Sequence, residues 1–141
     1  MKNGEDGGRK KILVVDDDKD IHLFLGDFLA SEGFAVRSAY GWKEAVSMLA
    51  QYTPDLIILD IMMPEVNGYI ISETLKKEME WKVPILVYSA LNKPEDIMMG
   101  FSKGSNAFLC KPAPLAEIRE TIHYLLEERN QDVPPAAKKK K

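Results

Sequence analysis

Apolar residues follow two rhythms along the chain. Short continuous runs, Ile12 to Val15, Leu56 to Leu59, Ile85 to Tyr88 and Ala107 to Cys110, are bounded by charged or turn-forming residues. Each is too short for a helix, and each reads as a strand buried on both sides. Phe34 to Ala39 alternates apolar and polar more than the others do. Between the runs lie longer segments with apolar residues three and four apart. Ile21, Phe24, Leu25, Phe28 and Leu29 mark one face of a helix that Asp18 can cap, that runs to about Ser31 and that Gly33 ends. Trp42, Ala45, Val46 and Leu49 mark a second helix. A Pro64 to Gly68 loop leads into a weaker third, roughly Tyr69 to Glu78. Pro94 opens a fourth, with Ile97 and Phe101 inward, stopping near Gly104. Leu115, Ile118, Ile122, Leu125 and Leu126 mark a strong final helix.

Five successive β–α units imply an α/β fold with a parallel sheet and helices on both faces. The doubly wound (βα)5 flavodoxin-like arrangement, strand order 2-1-3-4-5, puts the alternating second strand at an edge and keeps every crossover right-handed. Two segments fall outside this body. Met1 to Arg9 is Gly-rich and polar and reads as a flexible lead. Residues 130–141 hold Pro134-Pro135 and a lysine run and read as a disordered tail or linker end. The expected domain is therefore 10–129.

Composition narrows the class. With 141 residues, 45% hydrophobic and 29% charged, the chain suits one ordinary domain. No apolar run approaches the ~20 residues that span a bilayer, and the polar N-terminal segment offers no signal peptide. The lone Cys110 cannot form an internal disulfide, which suits a cytoplasmic location without membrane partners. The net charge of -3 hides an asymmetry: residues 1–10 carry +1 and residues 130–141 carry +3, leaving -7 for residues 11–129. An acidic body argues against a folded nucleic-acid-binding surface and for a cation site.

In doubly wound sheets, ligands bind beyond the carboxyl ends of the strands. The first strand ends in Asp16-Asp17-Asp18, the third in Asp60, the fourth in Ser89-Ala90 and the fifth in Lys111-Pro112. With that strand order, carboxylates, a hydroxyl and an ammonium converge at one rim. Clustered carboxylates repel unless a cation is present. Mg²⁺ is the natural one, being hard, oxygen-seeking and able to bridge carboxylate to phosphate. Asp16, Asp17 and Asp60 can supply ligands, Asp60 keeping an oxygen for nucleophilic attack on phosphorus. Lys111 and Ser89 can then neutralise and hydrogen-bond the transferred group.

The segments Lys11 to Asp18, Pro54 to Pro64, Val87 to Ala90 and Phe108 to Pro112 resemble a response regulator receiver domain, the CheY-like phosphoacceptor module of two-component signalling. The resemblance covers residues 10 to about 128. It implies that Asp60 is the phosphoacceptor, that Asp16 and Asp17 hold Mg²⁺ with the backbone carbonyl of Met62, and that Lys111 contacts the phosphoryl group across an expected cis Lys111–Pro112 bond. Ser89 matches the hydroxyl switch position and Phe108 the aromatic one, where the family often has Tyr. It also implies a histidine kinase or phosphotransfer protein as donor, and a downstream protein or output domain reached through the face of the fourth helix, fifth strand and fifth helix. Dimerisation on activation through that face is common in the family. Met62 and Leu91, two residues after Asp60 and Ser89, are apolar where polar residues help position the hydrolytic water, so a long-lived aspartyl phosphate is expected.

Other readings weigh less. A phosphorylation-independent binding module of this fold would lack one of the acidic, acceptor or lysine positions, and all are present. An aspartyl-phosphate phosphohydrolase wants a second acid two residues after its nucleophile, where Met62 stands, and a cap domain for which there is no length. A flavodoxin-like electron carrier needs a Ser/Thr/Gly-rich loop after the first strand. Cys110 reads as an inert buried thiol. His22 and His123 read as solvated residues on helix surfaces, and Met98 and Met99 as core filling, with an adaptable partner surface as the alternative.

Overall fold

The computed structural model describes residues 8–63, 83–91, 93–102 and 104–131. Five strands, β1 (Lys11–Val15), β2 (Ala35–Ala39), β3 (Leu56–Leu59), β4 (Ile85–Ser89) and β5 (Ala107–Cys110), form one parallel sheet in the order β2-β1-β3-β4-β5. The described helices are α1 (Lys19–Ser31), α2 (Trp42–Leu49), α3 (Pro94–Ser102) and α4 (Leu115–Gln131). The expected loop at Pro64 to Gly68 and helix at Tyr69 to Glu78 lie outside the described residues, as do residues 1–7 and 132–141. The expected fourth and fifth helices are therefore α3 and α4.

The strands form where they do because both faces of the sheet are covered. Ile12, Val14, Leu56, Ile58, Leu86 and Tyr88 pack on one side with Leu25 and Leu29 of α1 and Ile118, Ile122 and Leu125 of α4. Their neighbours Leu13, Val15, Ile57, Leu59, Ile85 and Val87 face the other side, where Ala45 of α2 and the half-buried Trp42 meet them. Burying such a side chain contributes about 1.5–3 kcal/mol, so the central strands anchor the fold. Both edge strands alternate: Val36 and Ser38 of β2, and Phe108 and Cys110 of β5, are only half-buried. Cys110 is thus a half-buried edge residue, not the fully buried thiol its apolar run suggests.

The start and stop of α1 follow local chemistry. Asp18 is extended and its side chain accepts from the Asp20 N–H at 2.9 Å, satisfying a free donor of the first turn. At the far end, Gly33 adopts φ +95°, its N–H donates to Ala30, and the Phe34 N–H donates to Leu29. This is a Schellman stop, with Phe34 folded back onto the core beside Leu29.

Some inward assignments need correction. Phe24, Val46 and Leu115 sit at the borders of their stripes and are exposed. Met98 and Met99 are not core filling: they are 71% and 44% exposed, whereas Ile97 of the same helix is half-buried. That leaves the alternative of an adaptable partner surface.

Candidate phosphoacceptor and cation site

Parallel pairing brings the strand ends together in register. Val15 pairs with Leu59, so the next residues, Asp16 and Asp60, stand side by side, with the Asp60 N–H donating to the Val15 carbonyl at 3.0 Å. Both carboxylates are buried, and the exposed Asp17 completes a group in which one oxygen from each residue lies within 4.8 Å of the others. Lys111 leaves β5, which is separated from β3 by β4. Its N–H donates to the Ser89 carbonyl at 2.7 Å, and its side chain passes the Tyr88 ring, 5.7 Å from the centroid. The ammonium then donates to Asp16 Oδ2 at 2.8 Å and to Asp60 Oδ2 at 3.1 Å. The Lys111–Pro112 bond is cis.

The remaining carboxylate oxygens are also held. Asp16 Oδ1 accepts from the Asp18 N–H and Asp60 Oδ1 from the Met62 N–H, each at 2.9 Å. These two backbone bonds fix the direction of the Asp16 and Asp60 carboxylates before a ligand arrives. Ser89 is fully buried at the end of β4, and its hydroxyl accepts weakly from the Leu91 N–H at 3.3 Å. Phe108 is half-buried on the other side of β5 and packs with Leu91 against the second core cluster. The Met62 side chain is 52% exposed at the open rim.

Three carboxylates thus face one ammonium. Burial pushes the Asp16 carboxyl above its usual range, and the Lys111 and Asp18 hydrogen bonds oppose this without overcoming it. For Lys111 burial pulls downward, but the Asp16 hydrogen bond and the Asp60 and Asp16 charges outweigh it, so the ammonium is held protonated above its ordinary range. Both directions describe a rim short of positive charge. Three carboxylates with oxygens this close are the hard donors that Mg²⁺ takes, so the residues present fit that ion.

The structure therefore gathers Asp16, Asp17, Asp60 and Lys111 at one point, with Met62 bound to Asp60 through its backbone, Ser89 at the adjoining strand end, and Phe108 behind it. The residue the sequence reading misplaced is His22. It is 6% exposed rather than solvated, and its Nε2 lies 2.7 Å from the Asp16 carbonyl. Its place among Ile21, Leu25 and Leu29 was the available signal. His123 is exposed, as expected.

Residues 12–123 match the family model of the response regulator receiver domain. RpaA of Synechocystis, a DNA-binding dual master transcriptional regulator, is 33% identical over 129 residues, which cover 91% of this chain and 53% of that protein. A probable cyclic di-GMP phosphodiesterase of Vibrio cholerae is 32% identical over 131 residues, 92% of this chain and 30% of its own. A two-component response regulator from Clostridium difficile superimposes with a TM-score of 0.82 at 26% identity, covering 86% of this chain and 99% of the other. The chain belongs to the response regulator receiver family, the CheY-like phosphoacceptor modules of two-component signalling. Receiver domains bind Mg²⁺ at an acidic site, and this chain carries an acidic cluster of Asp16, Asp17 and Asp60. The chain spans about half, or less, of the length of these curated relatives. Among the described residues, no helix is long and apolar enough to cross a membrane.

Proposed function

We propose that this receiver accepts a phosphoryl group on Asp60 from the phosphohistidine of a histidine kinase or phosphotransfer protein. A carboxylate oxygen of Asp60 bonds to phosphorus as the phosphorus–nitrogen bond breaks, its electron pair returning to the imidazole of the donor. Asp16, Asp17 and Asp60 hold Mg²⁺, with the Met62 carbonyl as a further ligand. Bound Mg²⁺ supplies charge neutralisation for the phosphoryl oxygens. Lys111 moves its hydrogen bonding from Asp60 to the incoming group and adds the second positive charge. Ser89 turns its hydroxyl toward that group, and Phe108 buries into the space released. Without a phenolic hydroxyl, Phe108 signals through ring burial alone.

Phe108 links the site to a surface. It also lines a cleft of 270 Å³ with Ala107, Leu109, Glu120, Thr121 and Tyr124, between β5 and α4. A shift of Phe108 is carried along β5 to Ala107 and Leu109, which line this cleft, so the face of α3, β5 and α4 is the output face. The exposed Met98 and Met99 suit an adaptable partner there, a downstream protein or an output domain, with dimerisation on activation as one form of output. Residues 10–129 are the signalling unit and 130–141 a tail or linker end, working in the cytoplasm.

The observation that carries this reading is the single Lys111 ammonium shared by the buried Asp16 and Asp60. The test is labelling with a phosphodonor, in wild type and Asp60→Ala, with and without Mg²⁺. Acid-stable but base- and hydroxylamine-labile label that needs both Asp60 and Mg²⁺ is expected. Equal labelling of Asp60→Ala overturns the assignment.

A further inference from the structure

His22 is buried on the inner side of α1, among apolar neighbours, beside the acidic rim. Its Nε2 lies 2.7 Å from the Asp16 carbonyl oxygen, which can only accept, so Nε2 carries the proton and donates. Nδ1 is buried and finds no hydrogen-bond partner among the described residues. The Tyr40 ring, 4.2 Å away centroid to centroid and tilted by 49°, stacks on the imidazole. A leucine here would fill similar space without burying an unsatisfied nitrogen. The imidazole contributes what leucine cannot, a donor to that one carbonyl.

That carbonyl belongs to the peptide joining the two paired acids. The Asp16 N–H donates to the Ala39 carbonyl at 3.1 Å, Asp16 Oδ1 accepts from Asp18, and Asp16 Oδ2 is taken by Lys111. These contacts hold the Asp16 N–H and both its carboxylate oxygens. The carbonyl of the Asp16–Asp17 peptide, on whose orientation the direction of the exposed Asp17 depends, meets His22 Nε2. We propose that His22 is a positioning residue for the acidic pair: by holding the Asp16 carbonyl it presents Asp17 to the cation. This rests on the reading of Asp16, Asp17 and Asp60 as the cation site. Groups that orient metal ligands without touching the metal commonly matter about 10- to 100-fold in affinity.

The test is cation affinity, read as free Mn²⁺ by electron paramagnetic resonance with Mg²⁺ competition, on wild type, His22→Leu and His22→Gln. The glutamine amide can place its N–H where Nε2–H stands. Affinity falling about tenfold in His22→Leu and returning close to wild type in His22→Gln is the expected result. Equal affinity in wild type and His22→Leu overturns the role of His22 and leaves the cation site standing. Equal loss in both variants means that ring packing matters rather than the donor, and also overturns it. A wild type that binds no cation overturns the site itself. Should His22→Leu fail to fold, nitrogen-15 NMR of the wild-type imidazole decides: Nε2 protonated and Nδ1 bare supports the role, and the reverse tautomer refutes it.

Discussion

At the amino ends of β1 and β3, Lys11 and Asp55 exchange backbone and side-chain hydrogen bonds, the Lys11 N–H to Asp55 Oδ2 and the Asp55 N–H to the Lys11 carbonyl, both at 2.7 Å. The Lys11 ammonium and the Arg37 guanidinium lie over the Tyr52 ring, 5.6 and 4.3 Å from its centroid. At the carboxyl ends of the same two strands, Asp16 and Asp60 share the Lys111 ammonium, and the exposed Asp17 stands beside them. Both rims are finished with charge, but one is closed on itself and the other is short of cations. Closure adds a little stability. The unbalanced rim costs stability in the free protein and gains it when a cation and a phosphoryl group arrive, as at sites whose strain serves function.

The largest expected effect separates the two rims directly. Lys111→Met removes the shared donor and leaves two buried carboxylates facing each other. The loss is expected to be about 2–3 kcal/mol, below the figure for a fully buried pair because the ammonium is partly exposed. Lys11→Met keeps the backbone N–H to Asp55 and forfeits a weak cation–ring contact, about 0.5–1 kcal/mol. Urea unfolding without divalent ions compares them. Equal losses would erase the distinction between a closed rim and an unbalanced one.

A second expectation concerns rate rather than stability. Met62 is half-exposed and Leu91 half-buried against the second core cluster, so making them polar (Met62→Asn with Leu91→Lys) should cost about 1 kcal/mol of stability while leaving the fold intact. It should shorten the aspartyl-phosphate lifetime about tenfold or more, because a polar group can then orient the attacking water. Single-turnover dephosphorylation measures this. A wild-type lifetime of seconds that the polar pair does not alter would remove these two positions from any timing role.

How much of this was readable from residues alone follows from which forces are local. β3 and β5 fall where the apolar runs predicted them, and β1 and β4 differ by one residue; for β1, β3 and β4 burial on both sides leaves an unbroken apolar signal, whereas the edge strand β5 is half-buried at every second residue. Asp18 and Gly33 announce α1 by chemistry within a few residues. The site was legible because strand ends and strand order together place Asp16, Asp17, Asp60 and Lys111. What stayed hidden depends on distant chain. Phe24, Val46 and Leu115 lie at stripe borders, where about 100° per residue decides between core and solvent. Cys110 looks buried from its apolar run alone, although the expected strand order already puts β5 at an edge. His22 looks solvated until Tyr40, from the end of β2, covers it and the Asp16 carbonyl receives its proton.

The smallest expected effect is in pH, and its sign runs against habit. A carboxylate held by a lysine usually titrates low and stabilises more as pH rises. Asp16 is raised instead, burial outweighing Lys111, so the folded state holds this proton more tightly than the unfolded chain does. Its contribution is full below the ordinary value of 3.8 and is lost as pH rises through the raised value in the fold. Lys111 behaves likewise in another window, its contribution present below 10.5 and lost as pH climbs through its own raised value. Other carboxylates titrate in the acidic range, so the measurement is a difference. Without divalent ions, wild type should lose stability relative to Asp16→Asn as pH rises above 3.8. With Mg²⁺ present the trend should reverse, because the cation takes only the ionised carboxylate and so favours the folded protein more at higher pH. A wild type that gains on the variant over this range without any cation would mean that Lys111 alone balances the rim.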